Sequence, residues 1–175
     1  PGTVGSEGYN GAGINSIQNS SLTNVTIQNN ETINGYGGGI YNSYGGLILE
    51  NVTIRYNHAN KGGGIWINAA PSFSEINKCN IYENYAINGS DIWWDINNDL
   101  NVVVDTFTVA TPTDYYAYPL SQITFDIENY SVDPIVGDIY VDPSGSNDNS
   151  GTSSGSPYKT ISYALLSAFA NSSNL

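Results

Sequence analysis

Three stretches of the chain, SLTNVTIQNN at 21–30, LILENVTIRYN at 47–57 and INKCNIYEN at 76–84, superpose at a constant offset of 27 residues. Val25, Val52 and Cys79 then fall in one column, Ile27, Ile54 and Ile81 in a second, and Asn30, Asn57 and Asn84 in a third. A glycine element precedes each unit: GAGIN at 11, GGGIY at 37, GGGIW at 62 and a degenerate GSDIW at 89. A unit this small cannot bury an apolar face by itself, so neighbouring units must stack. Within a unit the apolar residues alternate, as in Leu47, Leu49, Val52 and Ile54, without the 3.6-residue period of a helix. The pattern predicts two or three short strands per turn, stacked at about 4.8 Å. The fold class is therefore all-β, a right-handed parallel β-helix. A leucine-rich repeat of similar length would show a leucine spacing and helical segments that are absent here.

The columns assign side chains. Val25, Val52 and Cys79, Ile27, Ile54 and Ile81, and Ile14, Ile40, Ile65 and Ile92 form interior rows. Cys79, the single cysteine, reads as a small buried hydrophobe, and its solitude excludes an internal disulfide and a Cys-based zinc site. The Asn30, Asn57 and Asn84 column is expected to form an amide ladder at a corner, with asparagine in the left-handed backbone region. Tyr41, Trp66 and Trp93 each follow an interior isoleucine, so alternation points them outward as an aromatic row. Such a row can stack on the apolar faces of sugar rings or pack against its own surroundings.

Four Lys and Arg stand against 16 Asp and Glu, a formal charge of -12, which repels nucleic acid and anionic lipid headgroups. Charged residues are only 11% of the chain, so amides and hydroxyls must wet the surface, as in surface-exposed repeat proteins. No apolar run approaches the roughly 20 residues of a membrane span, and no basic and apolar signal segment opens the chain. Pro1 is not a natural start, and the expectation is a piece excised from a longer polypeptide.

GGGIYNSYGGLILENVTIRYNHANKGGGIW resembles the repeats of adhesin-like β-helical surface proteins of methanogenic archaea, which share glycine-glycine-x-isoleucine elements with bacterial polymorphic outer-membrane proteins. The resemblance covers residues 8 to about 96. It implies a β-helical fold and an extracellular, cell-surface location. The chain as a whole is expected to be non-catalytic, with carbohydrate or protein on a cell surface as partner and the alternation-derived row Tyr41, Trp66 and Trp93 as the ligand row. Seven Asn-x-Ser/Thr sequons, at Asn19, Asn24, Asn30, Asn51, Asn88, Asn129 and Asn171, are candidate glycan sites in an exported protein.

The wider similarity to pectate-lyase-like β-helices implies the alternative of a polysaccharide lyase. Arg55, His58 and Lys61 would be its basic groups, acting on a uronate, often with calcium. At the 27-residue offset, however, Glu31 stacks beside His58 while Gln28 and Tyr82 flank Arg55, as in an ordinary solvated corner. A glycosidase would instead need paired carboxylates, for which Asp91, Asp95 and Asp99 are the candidates. Asp142, Asn147 and Asp148 offer oxygens to calcium, but without the spacing or closing Glu of an EF-hand loop. No metal and no cofactor is assigned.

Three segments are expected: coils over 1–96, an end-closing β segment over 97–136, and a strand, polar loop and helix over 137–175. In the last, Ile161, Ala164, Leu165, Ala168 and Phe169 trace an apolar helical face. Strand, loop and helix resemble the opening of a pectate-lyase-like domain, where such a helix covers the first coil. The helix would then cap a following unit in the same chain or, head to tail, the first coil of a neighbouring copy, which makes filaments when the contact does not close.

Overall fold

The computed structural model describes residues 10–68 and 75–169. The chain winds as a parallel β-solenoid. Its first coil holds β1 (Ile14–Ser16), β2 (Ser20–Thr23) and β3 (Thr26–Gln28), and its second β4 (Ile40–Asn42), β5 (Leu47–Glu50) and β6 (Thr53–Arg55). The third holds β7 (Ile65–Ile67) and β8 (Glu75–Tyr82), and the fourth β9 (Ile92–Trp94) and β10 (Leu100–Phe107). β11 (Ala117–Tyr118) and β12 (Ile123–Tyr130) begin a fifth. One sheet runs β1-β4-β7-β9-β11 and the other β12-β10-β8-β5-β2, with β3 pairing β6 and β6 pairing β8.

The registers are those of the sequence columns. Ile14 pairs with Ile40, Ile40 with Ile65 and Ile65 with Ile92, and Ile27 pairs with Ile54 and Ile54 with Ile81. Ile40, Ile65, Ile92, Ile54 and Ile81 are sealed inside, together with Val52 and Cys79, whereas Ile14 and Val25 of the first described coil are half-buried. Burial pushes the Cys79 thiol up from its usual range, as befits a core residue. Residues 97–131 do more than close an end, since β10 and β12 extend one sheet and β11 the other. Here glycine repeats are lost but strand alternation persists, so stacking continues.

Left-handed backbone marks two corner rows, Asn24, Asn51 and Lys78 with φ between 51° and 58°, and Asn29, Tyr56 and Glu83 with φ between 53° and 57°. The second row lies one residue before Asn30, Asn57 and Asn84, which corrects the expectation that the ladder asparagines themselves adopt this conformation. The preceding residue turns the corner and leaves the asparagine side chain aimed inward.

Residues 132–175 make a separate compact unit, so the division falls after Ser131 and not after residue 136. A single bridge, Val141 to Tyr158, stands where a strand was expected. The helix α1 (Ile161–Phe169) forms, but it buries Ala164, Leu166 and Ser167 while Ile161 is 70% and Leu165 42% exposed. Of the predicted apolar face, Ala164 is thus buried while Ile161, Leu165 and Ala168 are exposed, and the Phe169 side chain lies outside the described residues. A buried hydrogen bond of 3.0 Å between the Tyr158 hydroxyl and Ser167 Oγ fixes the inward side.

Candidate functional site

Two rows run along the solenoid, one amide and inward, the other aromatic and outward. In the amide row, Asn57 Oδ1 accepts from the Asn30 backbone N–H (3.1 Å) and from its Nδ2 (2.9 Å). Asn84 Oδ1 accepts the same pair from Asn57 at 3.1 and 3.0 Å. The second protons of Asn57 and Asn84 go to the carbonyls of Ile27 and Ile54, both at 3.0 Å. Asn57 and Asn84 are fully buried, so the low dielectric strengthens these bonds and makes an unpaired member costly.

Asp91 ends the row. Its Oδ1 accepts from Asn84 Nδ2 at 2.9 Å and from the Asn84 backbone at 3.3 Å, the place another asparagine would take. Asp91 stands where Gly13, Gly39 and Gly64 stand in earlier coils, and a Cβ on Gly64 would come within 2.9 Å of Asn84 Nδ2. The glycines therefore leave room for the amides, and the first residue to replace one supplies the last acceptor. Asp91 is wholly buried, its Oδ2 forms no well-formed hydrogen bond, and burial pushes the carboxyl up to about 7 against the pull of Thr108 and Asn84. Asp95 and Asp99 are exposed, so the three aspartates do not flank one groove.

The aromatic row is in register: Tyr41 pairs with Trp66, Trp66 with Trp93 and Trp93 with Tyr118. Its ring faces are occupied from within. Trp66 stacks on Tyr41 at 4.6 Å and 6°, and on Tyr36 at 5.5 Å and 16°. Trp93 stacks on Tyr118 at 4.4 Å and carries the Lys61 ammonium 4.2 Å from its ring centre. Trp66 is only 5% and Trp93 8% exposed, Tyr41 is half-buried, and Tyr118 is the open member. Neither tryptophan thus offers the bare face a sugar ring would need. Tyr36, Lys61 and Tyr118 belong to this cluster without belonging to the Tyr41, Trp66 and Trp93 row that the sequence predicts. Their signal was positional, because Tyr36 and Lys61 each precede a glycine triplet and pair with one another as a bridge.

The candidate bases are held by three separate sets of partners. Arg55 Nε donates to Gln28 Oε1 and a terminal nitrogen to the Tyr82 hydroxyl, both at 2.9 Å, with the guanidinium over the Tyr56 and Tyr82 rings. The Tyr82 hydrogen bond holds the Arg55 pKa above its ordinary value. His58 Nδ1 lies 3.1 Å from Glu31 Oε1 in an exposed pair. Lys61 is committed to Trp93. These are the neighbours that the 27-residue offset predicts for Arg55 and His58.

In the 132–175 unit, Asp142 Oδ1 accepts the Ser144 hydroxyl at 2.5 Å and the Ser144 N–H at 2.8 Å, and the hydroxyl first, then the N–H, pull its carboxyl below the usual range. Asn147 Oδ1 accepts the backbone N–H groups of Lys159 and Thr160, and Asp148 accepts from Ser146. These oxygens close their own loop. Among the described residues no three His, Cys, Asp or Glu side chains are grouped to hold a metal, and no helix is long and apolar enough to cross a membrane.

Of the sequon asparagines, Asn24 and Asn51 are exposed neighbours at one corner, with Asn51 Nδ2 donating to Asn24 Oδ1 at 2.6 Å. Asn30 donates within the ladder and Asn129 to Asp105, and Asn19 Oδ1 accepts the Gly46 N–H. Asn88 is exposed, but Ser90 of its sequon is buried. Asn171 lies outside the described residues. No protein-family model matches the chain, and neither a curated protein nor a solved structure matches it.

Proposed function

We propose that this chain is a non-catalytic structural segment of a cell-surface, adhesin-like protein, built to extend and to present a polar exterior. The observation that carries this reading is how the reactive groups are used. Arg55, His58 and Lys61 each bind a side chain of an adjacent coil, so they tie coils together instead of converging on a substrate. A strongly acidic surface, at -12, further disfavours a polyanionic uronate as substrate.

The test pairs a lyase assay with a binding assay. The purified segment is incubated with uronate polysaccharides, with and without calcium, and applied to a glycan array. No unsaturated product is expected under either condition. Product that disappears in Arg55→Ala would overturn the reading in favour of a lyase. On the array, contact with carbohydrate is expected through Tyr118 and Tyr41, the accessible members of the aromatic row. Binding that survives replacement of both by alanine would remove that row from the role.

A second reading, a subunit that assembles head to tail, draws on the exposed Ile161 and Leu165 of α1. Light scattering at rising concentration tests it, and a persistent monomer eliminates it.

A further inference from the structure

Asp91 is a buried acid that the proposed function does not use. It is fully buried, it accepts two hydrogen bonds from Asn84 on Oδ1, and Oδ2 is left without a well-formed partner. The same residue sits on a seam. Its backbone N–H and that of Ile92 both donate to the Tyr116 carbonyl, at 2.9 and 3.0 Å, and Ser90 donates to the Tyr115 carbonyl at 2.7 Å. Thr108, whose hydroxyl accepts the Glu83 N–H at 2.7 Å, lines its other side.

We propose that Asp91 is a protonation latch, whose neutral carboxylic acid fastens the fourth coil to residues 108–118 and whose ionisation loosens that seam. The hydrogen-bond inventory assigns the proton. Oδ1 already accepts two N–H groups, so the acid proton belongs on Oδ2, where it turns an acceptor that lacks a well-formed partner into a donor, with Thr108 as the side-chain neighbour of the carboxyl. Removing it leaves a charge in a site that offers no cation. The titratable groups facing Asp91 are the Glu83 carboxyl from the preceding corner and the Tyr115 and Tyr116 phenols from the segment above. Glu83 repels the ionised form, and burial first, with Asp91 second, raises both phenols, Tyr115 to about 12.

The direction with pH follows. The carboxyl ionises near 3.8 in the unfolded chain and about 7 in the folded one, so the folded state holds the extra proton between those values. The latch contributes fully below the unfolded value and is lost as pH rises through the folded one. Raised pKa values also mark functional acids in clefts, but this one is sealed from solvent, which suits a structural device.

Thermal unfolding of the wild type and Asp91→Asn across about pH 5 to 8.5 tests this, because asparagine keeps the Oδ1 acceptor and replaces the acid proton with an amide donor. The melting temperature of the variant minus that of the wild type is expected to rise with pH from about 5 and to level off above about 7, once the folded carboxyl is ionised. A flat difference overturns the proposal. Should the variant fail to fold, carboxyl carbon NMR of the wild type decides, with a midpoint above about 6 expected and any lower one overturning it. Amide exchange, corrected for intrinsic rates, locates the effect. Protection at Ser90, Asp91 and Ile92 is expected to fall about tenfold or more between about pH 6 and 8 while that at Ile40 and Ile65 holds, and an equal loss in all coils overturns the latch.

Discussion

Gly64 and Asp91 occupy the same position in consecutive coils and do opposite things. Gly64 has no side chain because the Asn84 amide fills the space a Cβ would enter. Asp91 has one because the Asn84 amide needs an acceptor and the next coil brings no asparagine to supply it. The departure from the glycine pattern is therefore how the amide row ends, and not a decay of the repeat. A solenoid is held by nearest-neighbour interfaces, so the residue that terminates a row matters as much as those that propagate it.

Exchanging the two residues tests this most severely. In Gly64→Asp, the new Cβ would lie 2.5 Å from the Asp91 carbonyl oxygen and 2.9 Å from Asn84 Nδ2. Backbone cannot yield as a flexible side chain can, and the expected loss is about 4 kcal/mol or more, read as an absent cooperative transition in urea. A variant within about 1 kcal/mol of the wild type would show that the row has slack that the distances do not suggest.

Asn57→Ala, in the middle of the row, is the next largest effect. It strands the Asn30 N–H and Nδ2 and takes the amide donor from the Ile27 carbonyl, while Asn84 Oδ1 keeps only the backbone N–H of residue 57, and a loss of about 3 kcal/mol in chemical unfolding is expected. Asn30→Ala should cost clearly less, since Asn30 is half-exposed and water replaces its bonds. Equal costs would mean that burial does not grade the ladder.

The reciprocal exchange, Asp91→Gly, removes the terminal acceptor and leaves two Asn84 N–H groups buried without one. About 2 kcal/mol is expected near pH 6, shrinking as pH rises to about 7 and levelling off above it, as the wild type itself loses the latch. A cost independent of pH would show that Asp91 acts only as an acceptor.

These residues were legible in the sequence to different depths. The 27-residue columns fix strand register, because in-register stacking is the only way such short strands bury a face, and Ile40, Ile65, Ile92, Ile54 and Ile81 fall where the columns put them. The Gln28, Arg55 and Tyr82 row, and Glu31 beside His58, follow from the same offset. Asp91 shows in the sequence as a blemish in GSDIW and as one of three candidate glycosidase carboxylates, since a column cannot say that its last member faces inward to an amide. The closing of the aromatic row was hidden for another reason. Register sets which rings are neighbours, but the fate of their faces depends on Tyr36 and Lys61, which lie outside the column and reach it with long side chains. The buried side of α1 depended on one hydroxyl pair, Tyr158 and Ser167, that apolar periodicity does not weigh.

Arg55→Ala is the smallest of the expected effects and separates the outer rows from the inner one. Arg55 makes two charge-assisted hydrogen bonds and two ring contacts, yet it does so at a wet surface where water competes for each. About 0.5 to 1 kcal/mol is expected in chemical unfolding, falling towards zero in the double variant background of Gln28→Ala and Tyr82→Phe, where its hydrogen-bond partners are gone. A loss near 3 kcal/mol would place Arg55 on a par with Asn57 and show that the exterior, not the amide row, bears the cohesion between coils.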